Sequence, residues 1–196
     1  VSTSTSQSAA AARHFAFIGG DNGIWRVTQA ETLIGETLAS APRLEIAPAE
    51  LPAGDAAAHW VLHGVTSNDR YVERSEKAAL QAVQAGLGRP AAFCAALIPI
   101  RKTATWWAMT QDERREIFQA RSQHIGIGLR ALPAVARRLY HCRDLPGPQP
   151  FDFLTWFEFA PEHVGAFDEM LRALRATPEW HYVEREVDIR LARDGH

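Results

Sequence analysis

The sequence predicts an α+β protein: an antiparallel sheet with helices on one face. Three observations point there. Over 93–191 strand-like and helix-like segments alternate in a compact order, the helix after the first of them opens with a capping box, and the last segment sets apolar residues on one side and charged residues on the other.

Residues 93–100 form a continuous apolar run of strand length. A helix follows over 110–132, opened by Thr110-Gln111-Asp112-Glu113, in which hydroxyl and carboxylate reciprocally satisfy orphan amides, and stopped by Pro133. Strands over 135–142 and 151–159 are separated by Asp144-Leu145-Pro146-Gly147-Pro148. Pro161 opens the next helix at a first-turn position, with Val164, Phe167, Leu171 and Leu174 on its apolar side. In the last strand, 181–191, Val183, Val187, Ile189 and Leu191 share one side while Glu184, Glu186, Asp188 and Arg190 share the other. The order strand, helix, strand, strand, helix, strand is that of a ferredoxin-like fold.

The preceding stretch carries weaker signals. Strands at 14–18 and 24–28 flank Gly19-Gly20-Asp21-Asn22-Gly23 and suggest a hairpin, while 41–58, rich in Ala and Pro, suggests irregular chain. A strand at 59–65 and a helix over 70–84 complete what resembles an incomplete second copy of the motif. The expected organisation is a disordered tail over 1–13, a truncated ferredoxin-like half over 14–90 and a complete one over 91–196.

Composition narrows the function. With 196 residues, 46% of them hydrophobic, the chain can bury one sizeable core or two small halves packed together. Twenty-one basic and 23 acidic residues give a net charge of −2, which offers no positive field to recruit nucleic acid or an anionic membrane. No apolar run approaches the roughly 18 residues of a membrane span. Cys94 and Cys142 lack the spacing of a redox or metal motif and suit a reducing compartment. A cytoplasmic location is expected, with a removed leader left open by the initial Val1. Nucleophile elbow, phosphate loop and zinc cluster are all missing from the sequence, and His59 and His63, four apart in an apolar context, lack a matching acid.

His124 and Arg137 remain as the chemically informative pair, an imidazole near the end of one helix and a guanidinium on the strand that follows. His124 shares a helical face with Ile117 and Arg121, extended by Ile125 and Gly128, so it points inward. A lone histidine on an apolar face is more often a hydrogen-bonded core residue than a ligand. Gly126 and Gly128, each costing about 1 kcal/mol against alanine in a helix, suggest that something bulky lies against the backbone. Arg137 alternates with Val135, Leu139 and His141 on one strand face, opposite Ala136, Arg138, Tyr140 and Cys142. Turned inward it would be a fixed positive charge suited to a small anion; on an edge strand it would reach solvent. Phe151, Phe153, Thr155, Phe157 and Phe159 share a face expected to be core, with Trp156 on the other.

Taken together, Ile98-Pro99-Ile100-Arg101-Lys102, Trp106-Trp107, the run from His124 to Leu129, Ala136 to His141, Phe153 to Glu158 and Pro178-Glu179-Trp180 resemble the chlorite dismutase family, particularly its short subunits with a truncated N-terminal half. The resemblance implies a dimeric α+β barrel that binds haem b in its C-terminal half, with His124 as the axial ligand of the iron and Arg137 as the distal arginine. By the same matching, Lys102 and Glu179 stand behind the axial histidine and Trp107 lines the haem pocket. Leu132 and Thr155 fall near the distal side, and Gln84 matches, more loosely, a distal glutamine able to hold the arginine.

The activity so implied is decomposition of chlorite to chloride and dioxygen through ferryl and hypochlorite intermediates, with the O–O bond formed inside the pocket. Coproheme decarboxylation and non-catalytic haem binding are the alternatives; Arg137 argues against the first, whose representatives usually carry another group at that position. A cofactor-free protein with His124 in its core is a third.

Overall fold

The computed structural model describes residues 13–49, 58–66 and 86–194. Among these residues eight strands form one closed antiparallel barrel: β1 (His14–Gly20), β2 (Trp25–Ile34), β3 (Arg43–Pro48), β4 (Ala58–Thr66), β5 (Cys94–Lys102), β6 (Val135–His141), β7 (Phe153–Phe159) and β8 (Val183–Arg193). Around the barrel they run β1-β3-β2-β8-β5-β7-β6-β4, and β4 pairs back with β1 to close it. The last four strands in sequence, β5 to β8, are neighbours in the order β8-β5-β7-β6, which is the ferredoxin-like arrangement expected from their spacing.

Two apolar layers follow from strand alternation. Phe17, Trp25, Leu44, Leu62, Leu97, Tyr140, Leu154, Trp156, Ile189 and Leu191 fill the barrel. The opposite faces of β5, β6 and β7 present Ile98, Ile100, Val135, Phe153, Phe157 and Phe159 to the helices, where Phe167, Met170, Leu171 and Leu174 of α4 (Val164–Arg175) cover them. Because β5 is buried on both faces, it reads in sequence as an unbroken apolar run. Pro99, which has no amide to donate, falls where the β5–β8 ladder skips from Leu97 to Ile100.

The N-terminal strands depart from expectation. β1 and β2 do not form a hairpin with each other: β3 lies between them, pairing with both. That strand, Arg43–Pro48, arises inside the Ala- and Pro-rich stretch expected to be irregular, because Leu44 plugs the barrel interior and is fully buried. The helix expected over 70–84, Gln84 and the tail over 1–12 lie outside the described residues.

The expected helix over 110–132 is also broken. Thr110 caps α2 (Gln111–Arg115) with the complete capping box, but a π-helical turn (Glu116–Arg121) follows and Gln123 adopts a left-handed φ of 49° before α3 (His124–Arg130) begins. A short helix α1 (Ala104–Ala108) carries Trp106 and Trp107 ahead of it. Phe151 precedes β7 and joins the barrel core, away from Phe153, Phe157 and Phe159. Pro161 opens a 3-10 turn that leads into α4, and another, Pro178–Tyr182, leads into β8.

Candidate functional site

The left-handed Gln123 restarts the helix, so that His124 becomes the first residue of α3 and the imidazole projects from a helix start. The phase expected from an unbroken helix is thereby lost, and Phe118 of the π turn stacks on the imidazole with ring centroids 4.4 Å apart and an interplanar angle of 22°. His124 Nδ1 lies 2.7 Å from Glu179 Oε2, and Lys102 Nζ donates to Glu179 Oε1, also at 2.7 Å. Lys102 and Glu179 are buried, their side chains 2% and 4% exposed, while the His124 side chain keeps 20% of its surface. An ionised carboxylate only accepts, so Nδ1 carries the proton and Nε2 is the nitrogen presented to a ligand.

Electrostatics favour the charged forms of this cluster unequally. Burial by itself would raise the Glu179 carboxyl, but the His124 imidazole and the Lys102 ammonium pull it down to about 2. Lys102 is lowered from its usual value by burial, against the opposing pull of Glu179, Asp152 and Glu186. The ammonium also lies over the Trp106 ring at 4.6 Å and near the Trp180 ring at 5.6 Å. Such cation–π contacts replace part of its lost hydration.

Trp107 is half-buried, stacked on Phe153, and its Nε1 donates to Asp152 Oδ2 at 3.1 Å. The same oxygen accepts the backbone N–H of Lys102 at 2.7 Å, so Asp152 ties the tryptophan to the strand end that carries the lysine. Sequence reasoning missed Asp152, Phe118 and Ser122. Asp152 carried one available signal: a carboxylate between Phe151 and Phe153, where an unpaired charge would be costly to bury.

Arg137 lies on the face of β6 turned toward the helices, in register with Phe157. Its guanidinium packs on α3: a Cβ added at Gly128, one turn beyond His124, would stand 2.7 Å from Nη1 and 3.1 Å from Cζ. Burial lowers its pKa from the usual arginine value, yet a guanidinium remains charged. At Gly126 the added atom would meet nothing within 4 Å, whereas at Gly128 it would meet the arginine. Thr155 is in register with Leu139, two residues beyond Arg137 and 38% exposed. Leu132 is half-buried in the turn between α3 and β6.

A haem fits this donor set. It requires one protein nitrogen on its iron, and the structure supplies one oriented imidazole with Nδ1 already occupied by a buried carboxylate. Among the described residues no group of three or more His, Cys, Asp or Glu is arranged to hold a bare metal ion.

Residues 49–194 match the family model described as chlorite dismutase. The chain is 31% identical over 126 residues to the chlorite dismutase of Ideonella dechloratans, across 62% of this chain and 40% of that protein. It thus spans about two fifths of that relative's length. Among solved structures it is similar to a dimeric chlorite dismutase from Nitrobacter winogradskyi, with 59% identity, a TM-score of 0.84, and coverage of 91% of this chain and 99% of that one. A variant chlorite dismutase from Candidatus Nitrospira defluvii, in complex with cyanide, shares the fold at 22% identity and a TM-score of 0.65, covering 93% and 90% of the two chains.

Proposed function

Because the chain belongs to the chlorite dismutase family, we propose that it binds haem b through His124 and converts chlorite to chloride and dioxygen in a pocket governed by Arg137. The observation that carries this reading is the buried Lys102–Glu179–His124 chain, closed by two contacts of 2.7 Å. Burying two charges behind a histidine is expensive for a core residue and useful for a metal ligand.

The conversion of chlorite to chloride and dioxygen balances in atoms and charge without an external reductant. When bound, the haem supplies the redox centre at which the Cl–O bond breaks and the O–O bond forms. Glu179 holds the proton on His124 Nδ1 and keeps the imidazole strongly donating, while Lys102 offsets the carboxylate charge. Arg137, a permanent cation on the face it shares with Leu139, draws the chlorite anion in and retains the hypochlorite-level fragment until it recombines. Trp107, held by Asp152, gives the pocket an aromatic wall, and Leu132 and Thr155 border the distal side. The ligand set lies wholly in 91–196, the half assigned to haem; 14–90 is the truncated half.

The dimeric Nitrobacter relative supports a homodimer for this chain as well. No helix among the described residues is long and apolar enough to cross a membrane.

The test is oxygen release on adding chlorite to the haem-reconstituted protein, run beside Arg137→Ala. Prompt oxygen from the parent, with slower release and earlier bleaching in the variant, is expected. A protein with an intact Soret band that evolves no oxygen would sink the catalytic reading and leave haem binding; equal turnovers before inactivation would sink the role given to Arg137.

A further inference from the structure

Glu179 can serve His124 only if its carboxylate stays within a few tenths of an ångström of two donors, and the segment that carries it is a single 3-10 turn, Pro178–Tyr182. Such turns hold themselves poorly, so the restraint must come from outside. The end of the turn is tied by the Thr103 backbone N–H, which donates to the Tyr182 carbonyl at 2.8 Å, and two further contacts flank Glu179 itself. On one side the Glu179 backbone N–H donates to Ser122 Oγ at 3.0 Å, a buried contact that joins the turn to the residue just before the left-handed Gln123 and His124. On the other side the next residue, Trp180, donates from Nε1 to Glu186 Oε2 at 2.7 Å.

Glu186 is a firm anchor. It is 1% exposed, lies in the middle of β8 in register with Ile100 of β5, and takes a second hydrogen bond on Oε1 from Arg175 Nε at 2.8 Å. Arg175, at the end of α4, is itself held by Asp188 at 2.9 Å. A charged acceptor makes the indole contact stronger than one between neutral groups. The anchored face of β8 is the charged side read from the sequence, which the established parts of the site leave unexplained.

The geometry points to Ser122, Trp180 and Glu186 as positioning residues that clamp the Glu179 turn from both sides and so set the donor strength of His124. This inference rests on His124 being the haem ligand. None of the three touches the imidazole; each acts through Glu179. A slip of the turn would lengthen the His124–Glu179 contact, weaken the imidazole as a donor, and favour the reduced iron.

The experiment reads the iron–imidazole stretching frequency of the ferrous holoprotein by resonance Raman, together with its midpoint potential. Trp180→Phe keeps the ring and removes the N–H. It should lower the frequency and raise the potential, in the same direction as Glu179→Gln but by less, and haem affinity should fall about tenfold. Ser122→Ala should do likewise, and Ser122→Thr should restore both readings. Trp60→Phe is the matched control: it removes an indole hydrogen bond, from Nε1 to the Ala39 carbonyl at 3.0 Å, on β4 and outside this cluster, so the frequency should not move. If Trp180→Phe does not fold, Ser122→Ala and its threonine rescue decide. Parent frequencies in both Trp180→Phe and Ser122→Ala would overturn the inference alone; a protein that takes up no haem on His124 would overturn the parent reading and this one with it.

Discussion

The guanidinium of Arg137 packs against Gly128 so closely that a Cβ there would stand 2.7 Å from Nη1 and push the cation aside, which joins the strand that carries it to the helix that begins with His124. The bare glycine, one helical turn beyond His124, thus sets how closely the guanidinium lies on that helix.

Gly128→Ala should therefore fold normally, and the helix gains up to about 1 kcal/mol from the substitution. The displaced guanidinium should slow chlorite-dependent oxygen release by roughly tenfold to a hundredfold, since small misplacements of a charged group cost that much. An oxygen electrode gives the rate and the Soret band the haem content. Full activity would show that the arginine position is not critical.

Lys102→Met should destabilise the haem-free protein by about 3–5 kcal/mol, because it leaves the buried Glu179 carboxylate without its ammonium. Adding Glu179→Leu should recover much of that loss, since a buried pair replaced by apolar groups is often neutral. Urea unfolding of the single and double variants measures both, and a double variant no more stable than Lys102→Met would refute the assignment of the loss to an unpaired charge.

Glu179→Ala should raise the reduction potential of the bound haem markedly, since the imidazole loses the acceptor that strengthens it. Spectroelectrochemical titration reads the change. An unaltered potential would remove Glu179 from any role in tuning the iron.

Cys142 predicts a response to alkali. Burial, with a smaller push from the Asp152 charge, raises its thiol from 9.0 to about 12. The unfolded chain then loses this proton first as pH rises, so the stabilisation is intact below pH 9 and drains away between about 9 and about 12. The loss reaches roughly 2–3 kcal/mol by pH 11. Cys142→Ala should show a flatter decline of unfolding free energy over that window, measured by urea denaturation at pH 8.5 and pH 11. Parallel declines would mean that the thiol does not titrate as its burial requires.

The strand and helix order of 93–191 was legible because each element there carries its own periodicity: β5 is apolar on both faces, α4 shows a single apolar stripe and β8 alternates between apolar and charged residues over 186–191. The proposed site was legible only by resemblance, since His124, Lys102, Glu179 and Arg137 are spread over two strands and two helical segments whose meeting no spacing encodes. What the sequence alone determined is what depends on neighbours along the chain: the capping box at Thr110, the α+β class, and the alternation that left Arg137 either facing inward or at an edge. The tertiary structure decided the rest. β3 formed between β1 and β2 because barrel closure rewards a strand there and Leu44 fills its interior. The helix broke at Gln123, and His124 could then reach a carboxylate 55 residues away that is itself held by Ser122, Lys102 and the neighbouring Trp180. Contacts of that range are set by packing, which local propensity does not register.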